Sequence, residues 1–315
     1  MANRRLRVLF MGTSEFARPT LERVTAAGHD IAAVVSQPDR PSGRGRRMQP
    51  TPVSEAALRL GLPLLRPERV RRRAFLNETQ ALAPEIILVA AFGQILPQAL
   101  LDIASIAPVN VHGSLLPALR GAAPIQRALM QGAAETGVTT MWMDAGIDTG
   151  DVLMAERAAI LPDDDAGSLG ARLAELGAAL TLKTLDQLAA GTQVRLPQDG
   201  RGASYAPKID AAEQEIGWDR PAGEIINRVR GLSPLPGAWF AFRGTRVRVQ
   251  RCSHGEIMRS ANAGVCVAVN NRDGWADIAT ADDVVRLWEV QPSSRSAMPA
   301  AVWARAAGLR ADMAL

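Results

Sequence analysis

From Leu6 to Leu188 the chain alternates short, unbroken apolar runs with longer amphipathic stretches, and no other feature restricts its possible folds as much. Strands buried on both faces read as continuous apolar runs, while the helices covering them carry one apolar stripe. Strands are therefore expected near Leu6–Phe10, Ile31–Val35, Leu62–Leu65, Glu85–Ala90, Pro108–His112, Val138–Met143 and Val152–Ala155. Helices fill the gaps, as at Glu15–Ala27. A long one is expected over Ala166–Leu188, where Leu169, Leu173, Leu176, Leu180 and Leu185 recur at near-helical spacing. The pattern predicts an α/β domain: a Rossmann-like, mostly parallel sheet with helices on both faces.

A polar stretch rich in Gly, Gln and Pro follows, and it reads as a linker over 191–208 between a first domain at 1–190 and a second at 209–315. The texture then changes. A helical piece at Ala222–Arg230 precedes the short runs Ala238–Phe242, Thr245–Gln250 and Gly264–Val269, which predict a smaller, OB-like β-barrel. Two domains also suit a chain of 315 residues with 47% hydrophobic and 22% charged residues. The apolar run Val8–Met11, after the basic start Met1–Arg7, is too brief for a signal segment or a membrane span, so a cytoplasmic protein without membrane contact is expected. Cys252 and Cys266 show no metal-binding spacing and read as small core residues; no metal site is expected.

In α/β sheets ligands bind at the carboxyl ends of strands, which directs attention to Pro108–His112. Asn110 and His112 are two apart, so on a strand their side chains share a face, and Gly113-Ser114 then opens a loop. His112 by itself would read as a hydrogen-bonded histidine at a strand end, and Asp148, in Ala145-Gly146-Ile147-Asp148-Thr149-Gly150, as a turn former. Together they offer an amide, an imidazole and a carboxylate, the set needed for acyl transfer to an amine. Negative charge builds on the carbonyl oxygen as the amine attacks, and each preorganised donor there is worth about 3 to 4 kcal/mol. A carboxylate beside an imidazole favours its charged, donating form and can also move the amine's proton.

Three segments carry a specific resemblance: Asn110-Val111-His112-Gly113-Ser114-Leu115-Leu116-Pro117, Arg120-Gly121-Ala122-Ala123-Pro124-Ile125-Gln126 and Asp144-Ala145-Gly146-Ile147-Asp148-Thr149-Gly150-Asp151. They resemble the methionyl-tRNA formyltransferases, and the likeness runs over nearly the whole chain. The resemblance implies a formyltransferase fold, 10-formyltetrahydrofolate as formyl donor, and methionyl-initiator tRNA as acceptor, held in part by the C-terminal domain. It places the family's catalytic Asn, His and Asp on Asn110, His112 and Asp148. It puts folate contacts on Ser114, Leu115, Leu116 and Pro117, with Phe92 and Ile95 in the pterin pocket. One departure is Ala118-Leu119, where the family often carries a basic residue and an aromatic.

The segment Gln37 to Arg47 holds four arginines, Arg40, Arg44, Arg46 and Arg47, against one acid. Such a long βα connection is unusual, and arginines pair bidentately with phosphate, so the loop suits an RNA acceptor end as well as it suits a solvated surface. The resemblance implies that it enters the acceptor stem. Arg246 and Arg248 share a strand face and are expected to contact tRNA as well, whereas Trp218, Trp239, Trp275, Trp288 and Trp303 read as core. A small acceptor such as an amino-sugar nucleotide or a glycinamide ribonucleotide needs neither the arginine loop nor a second domain. A dinucleotide-dependent oxidoreductase fits poorly, because Met11-Gly12-Thr13-Ser14-Glu15-Phe16 lacks G-x-G-x-x-G. A non-catalytic RNA-binding protein would have no use for the trio. A monomer is expected.

Overall fold

The run RVLFMG forms β1 (Arg7–Gly12), nearly all of it buried, as a strand covered on both faces must be. The computed structural model describes residues 4–42, 47–256 and 261–315. After β1 come α1 (Arg18–Ala26), β2 (Asp30–Val35), a hairpin of β3 (Arg40–Ser42) and β4 (Arg47–Gln49), α2 (Pro52–Arg59) and β5 (Leu64–Leu65). Next are α3 (Arg73–Ala81), β6 (Ile86–Ala90), α4 (Gln98–Leu101), β7 (Ala107–His112) and α5 (Pro124–Met130), then β8 (Glu135–Trp142), β9 (Val152–Ala159) and α6 (Ala166–Ala190). The expected helix at Glu15–Ala27 opens as a 3-10 turn at Glu15–Ala17 before α1 begins. Pro19 supplies no amide hydrogen and sits where the first helical turn needs none.

Seven strands form one sheet in the order β5-β2-β1-β6-β7-β8-β9. Its members from β5 to β7 run parallel, while β8 opposes β7 and β9 opposes β8. The chain runs outward from β1 through β2 to β5, then returns to β6 on the other side, and that reversal of order opens a crevice at the strands' carboxyl ends. One face is packed by Phe75, Leu96, Leu100 and Leu101 against Leu9, Met11, Ile87 and Val89. On α6, Gly177 lets the helix come close: a Cβ there would lie 3.1 Å from Val111 and 3.2 Å from Val138.

The chain divides into two compact units. The first holds the chain up to Pro124, Glu135–Ala159 and Gly170–Pro207; the second holds Ile125–Ala134, Ile160–Leu169 and Lys208–Leu315. Residues 191–207 belong to the first unit, where their backbone is hydrogen-bonded. Leu196 and Val152 exchange two bonds at 2.8 and 2.9 Å, and the Ala206 amide donates to the Arg120 carbonyl at 2.6 Å.

In the second unit α7 (Ala222–Leu232) precedes β10 (Ala238–Phe242), β11 (Thr245–His254), β12 (Cys266–Asn270), β13 (Trp275–Ala279), β14 (Val284–Pro292), β15 (Met298–Pro299) and α8 (Ala300–Ala307). The OB-like domain is an antiparallel sheet in the order β10-β11-β14-β13-β12, an open path with β15 beside β14. Arg243 and Gly244, both at positive φ, make the two-residue turn that suits a right-twisted hairpin between β10 and β11. Ile225, Ile226, Val229 and Leu232 of α7 join Phe240, Val247, Leu287 and Trp303 in its core. Cys266 is buried there, and burial pushes its thiol up to about 11, so it is an inert core residue as expected. Among the described residues no helix is long and apolar enough to cross a membrane.

Candidate active site

Strand β7 is buried along its whole length, yet it carries Asn110 at 9% exposure and His112 at 5%. Buried polar side chains need partners, and those of this pair define the site. His112 Nε2 lies 2.9 Å from the Leu119 carbonyl oxygen, and Nδ1 faces Asp148 Oδ2 at 3.6 Å. Both ring nitrogens therefore face oxygen atoms, Nε2 within hydrogen-bond distance and Nδ1 just beyond it. Asn110 Nδ2 donates to Asp148 Oδ1 at 3.3 Å. The Gly121 amide donates to Asp148 Oδ2 at 2.8 Å. Amide, imidazole and carboxylate thus meet.

Their route to one place differs from a simple meeting of adjacent strand ends. Because β8 runs antiparallel to β7, its last residue, Trp142, pairs with Val109, and the Met143 amide donates to the Pro108 carbonyl at 2.9 Å. The loop bearing Asp148 consequently leaves the sheet level with Val109 and turns back to reach Asn110 and His112. Local chemistry makes the turn. Asp144 accepts from the Gly146 amide at 3.0 Å and from the Thr149 hydroxyl at 2.8 Å, and Asp148 itself adopts the left-handed conformation at φ 52°.

The loop after β7 is tied down as closely. Ser114, 1% exposed, donates its hydroxyl to the Ala118 carbonyl at 2.6 Å, closing the turn through Leu115, Leu116 and Pro117. Thr139 donates to the Ser114 carbonyl at 2.7 Å and accepts from the Leu116 amide at 3.1 Å. Leu115 to Pro117 remain half-exposed. Of the two pterin-pocket expectations, Phe92 is 2% exposed within the core that includes Val89 and Leu96, whereas Ile95 is 81% exposed. Among the described residues no cluster of three or more His, Cys, Asp or Glu side chains is placed to hold a metal ion.

Among the arginines, Arg40 is exposed on the β3–β4 hairpin and Arg47 pairs through its backbone with Ser42. Arg44 and Arg46 lie outside the described residues. Arg246 is exposed and stacks 4.1 Å from the Trp239 ring, while half-buried Arg248 donates to Gln291 at 3.3 Å. Trp303 is core, as expected, but Trp239, Trp275 and Trp288 are half-buried under guanidinium groups.

Sequence reasoning missed the Leu119 carbonyl and the Gly121 amide, because backbone groups carry no signature of their own. Gly121 had a signal: at φ 115° it is a glycine position, and a Cβ there would lie 2.7 Å from the Tyr205 ring.

Residues 4–185 match the family model described as "Formyl transferase", and residues 208–308 match "Formyl transferase, C-terminal domain". A methionyl-tRNA formyltransferase of Moorella thermoacetica is 43% identical over 95% of this chain and 95% of its own length. One from Nitrobacter hamburgensis is 44% identical over 98% of each. Among solved structures, HypX from Aquifex aeolicus in complex with tetrahydrofolic acid superposes with a TM-score of 0.68 at 16% identity, over 96% of this chain and 47% of that one, a likeness of fold. The chain belongs to the methionyl-tRNA formyltransferase family.

Proposed function

We propose that this chain transfers the formyl group of 10-formyltetrahydrofolate to the free amino group of methionyl-initiator tRNA, with Asn110, His112 and Asp148 as its catalytic residues. The observation that carries the proposal is one carboxylate lying 3.3 Å from an amide nitrogen and 3.6 Å from an imidazole nitrogen at the carboxyl end of β7. The relatives' names support the acceptor, and the tetrahydrofolic acid bound in HypX supports a folate donor.

The donor supplies a formyl carbon bonded to nitrogen. Asn110 directs its second amide hydrogen to the formyl oxygen. His112, anchored at Nε2 by the Leu119 carbonyl, shares its Nδ1–H between Asp148 Oδ2 and the formyl oxygen. Both meet the charge that builds there as the amine attacks. Asp148 takes the proton from the attacking nitrogen and returns it to the departing one, so no covalent enzyme intermediate is needed. Ser114, Leu115, Leu116 and Pro117, with Phe92 and Ile95, are assigned to the folate side. The half-exposed apolar turn at Leu115 to Pro117 suits a flat heterocycle. Arg40, Arg44, Arg46 and Arg47 are assigned to the acceptor stem, and Arg246 and Arg248 to a further tRNA contact. The trio comes from one chain, so a monomer suffices, and the acceptor places the reaction in the cytoplasm.

The test is a formyl-transfer assay offering charged initiator tRNA, free methionine and an amino-sugar nucleotide. Rapid formylation of the tRNA alone is expected, and comparable formylation of the sugar would overturn the acceptor assignment. His112→Ala should lower kcat by about 10²- to 10³-fold with circular dichroism and tRNA affinity unchanged. Turnover at the wild-type rate would remove His112 from the mechanism.

A further inference from the structure

We propose that Gln198, in the stretch that reads as a linker, is a positioning residue that sets the Asp148 loop against His112. The inference rests on the function proposed above and deepens it. Gln198 Nε2 donates to the carbonyl of Asp148 itself at 2.9 Å and to that of Gly150 at 2.7 Å. Its Oε1 accepts from Arg120 Nε at 3.0 Å and Nη2 at 2.7 Å. The surroundings fix which end of the amide is which: a flipped group would set NH2 against a guanidinium and an oxygen against two carbonyls. Gln198 therefore bridges two loops that are separate in sequence.

Those loops are the two that build the site. Arg120 sits between Leu119, whose carbonyl holds His112 Nε2, and Gly121, whose amide holds the Asp148 carboxylate. A closed ring results: from the Asp148 carboxylate to Gly121, along the backbone to Arg120, through the guanidinium to Gln198, and back to the Asp148 carbonyl. Both ends of the aspartate are thereby referenced to the same short segment that orients the imidazole. Two facts make such a brace necessary. The loop has to turn back over β7 because β8 is antiparallel, and Asp148 holds a left-handed conformation that side chains other than glycine adopt sparingly. The strap carrying Gln198 is itself fastened by Arg195, which pairs with Asp151 at 2.9 Å and stacks 4.1 Å from Trp142. Ser204 adds a hydroxyl acceptor for the Leu119 amide at 2.9 Å.

A residue that merely glued the strap down would affect stability, whereas one acting through Asp148 affects kcat and does so only while Asp148 is present. The experiment is a double-mutant cycle of Q198A and D148N, with kcat, both KM values and the thermal midpoint measured for each protein. Q198A is expected to lower kcat by about tenfold or more with both KM values within about twofold. In the D148N background the same change should cost less than about threefold. An unchanged kcat, or equal losses in both backgrounds, overturns the proposal. Should Q198A lower the midpoint, Q198E decides: it keeps a partner for Arg120 but turns the two donors into an acceptor. A folded Q198E with reduced kcat supports the positioning role, and a folded Q198E with wild-type kcat ends it. D148N turning over at the wild-type rate would instead sink the underlying mechanism, so the two failures are separable.

Discussion

Gly150 closes the β8–β9 loop at a point where a Cβ would lie 1.8 Å from the Trp142 carbonyl oxygen, so any side chain there must push the loop off the sheet. Asp148 is two residues away and depends on that closure. Gly150→Ala is therefore expected to cut kcat by about tenfold or more and to lower the thermal midpoint as well, because Gly150 is buried and the atoms a Cβ would meet are backbone that cannot swing aside. Full activity in the Gly150→Ala enzyme would mean that the loop tolerates a different path. Asp148→Asn is the complementary change. Asn tolerates the left-handed conformation as well as Asp does, so the backbone turn can persist, but the substitution removes charge and basicity and sets an NH2 against either Asn110 or the Gly121 amide, so one of those two bonds is lost. The residue types at Asn110, His112 and Asp148 were legible from spacing and neighbouring glycines, and the roles assigned to them only from the family resemblance. The backbone groups that orient the trio were not, because every residue has them and only folding selects Leu119 and Gly121.

At the scale of elements, the parallel core was readable because two-sided burial leaves runs such as RVLFMG and IILVA with no polar interruption. β13 and β14 were harder to read. Asp277 and Arg286 put a charge into each, and the pairing that permits their burial, at 2.9 and 3.0 Å with Arg286 stacked 3.8 Å from Trp275, exists only once the strands lie side by side. The arginine hairpin β3–β4 is an element whose assigned role needs a partner to test. Replacing Arg44 and Arg46 by Ala is expected to raise KM for tRNA, leave KM for the folate donor unchanged, and flatten the salt dependence, since each lost phosphate contact removes about one unit of slope in log affinity against log salt. Equal tRNA kinetics at two ionic strengths would discard the hairpin as an RNA contact.

At the scale of the molecule, the second compact unit draws in Ile125–Ala134 from the middle of the chain. Arg127 of α5 grips Glu213 through Nη1 at 2.5 Å and Nη2 at 2.9 Å. The guanidinium hydrogen bond, helped by the Asp210 amide, pulls the Glu213 carboxyl from an ordinary 4.5 down to about 2. A carboxyl so lowered stabilises the fold fully above about 4.5, and that contribution fades as pH falls towards about 2. Glu213→Gln should therefore unfold more readily than wild type at neutral pH in urea, with the gap closing through that acid window; a gap that ignores pH would refute the assignment. By itself the amino-acid sequence determined the order along the chain of the strands in the seven-stranded sheet, the two-sided burial of that sheet, and the chemical types offered at the end of β7, since periodicity and dihedral limits are local. Tertiary structure alone decided that β8 opposes β7 and sends the Asp148 loop back over the site. It alone decided that Gln198, 50 residues beyond Asp148 and 78 beyond Arg120, joins the two loops. Such bonds form only when packing brings distant polar groups out of water together, and nothing in a polar, glycine-rich stretch announces in advance which neighbour it will meet.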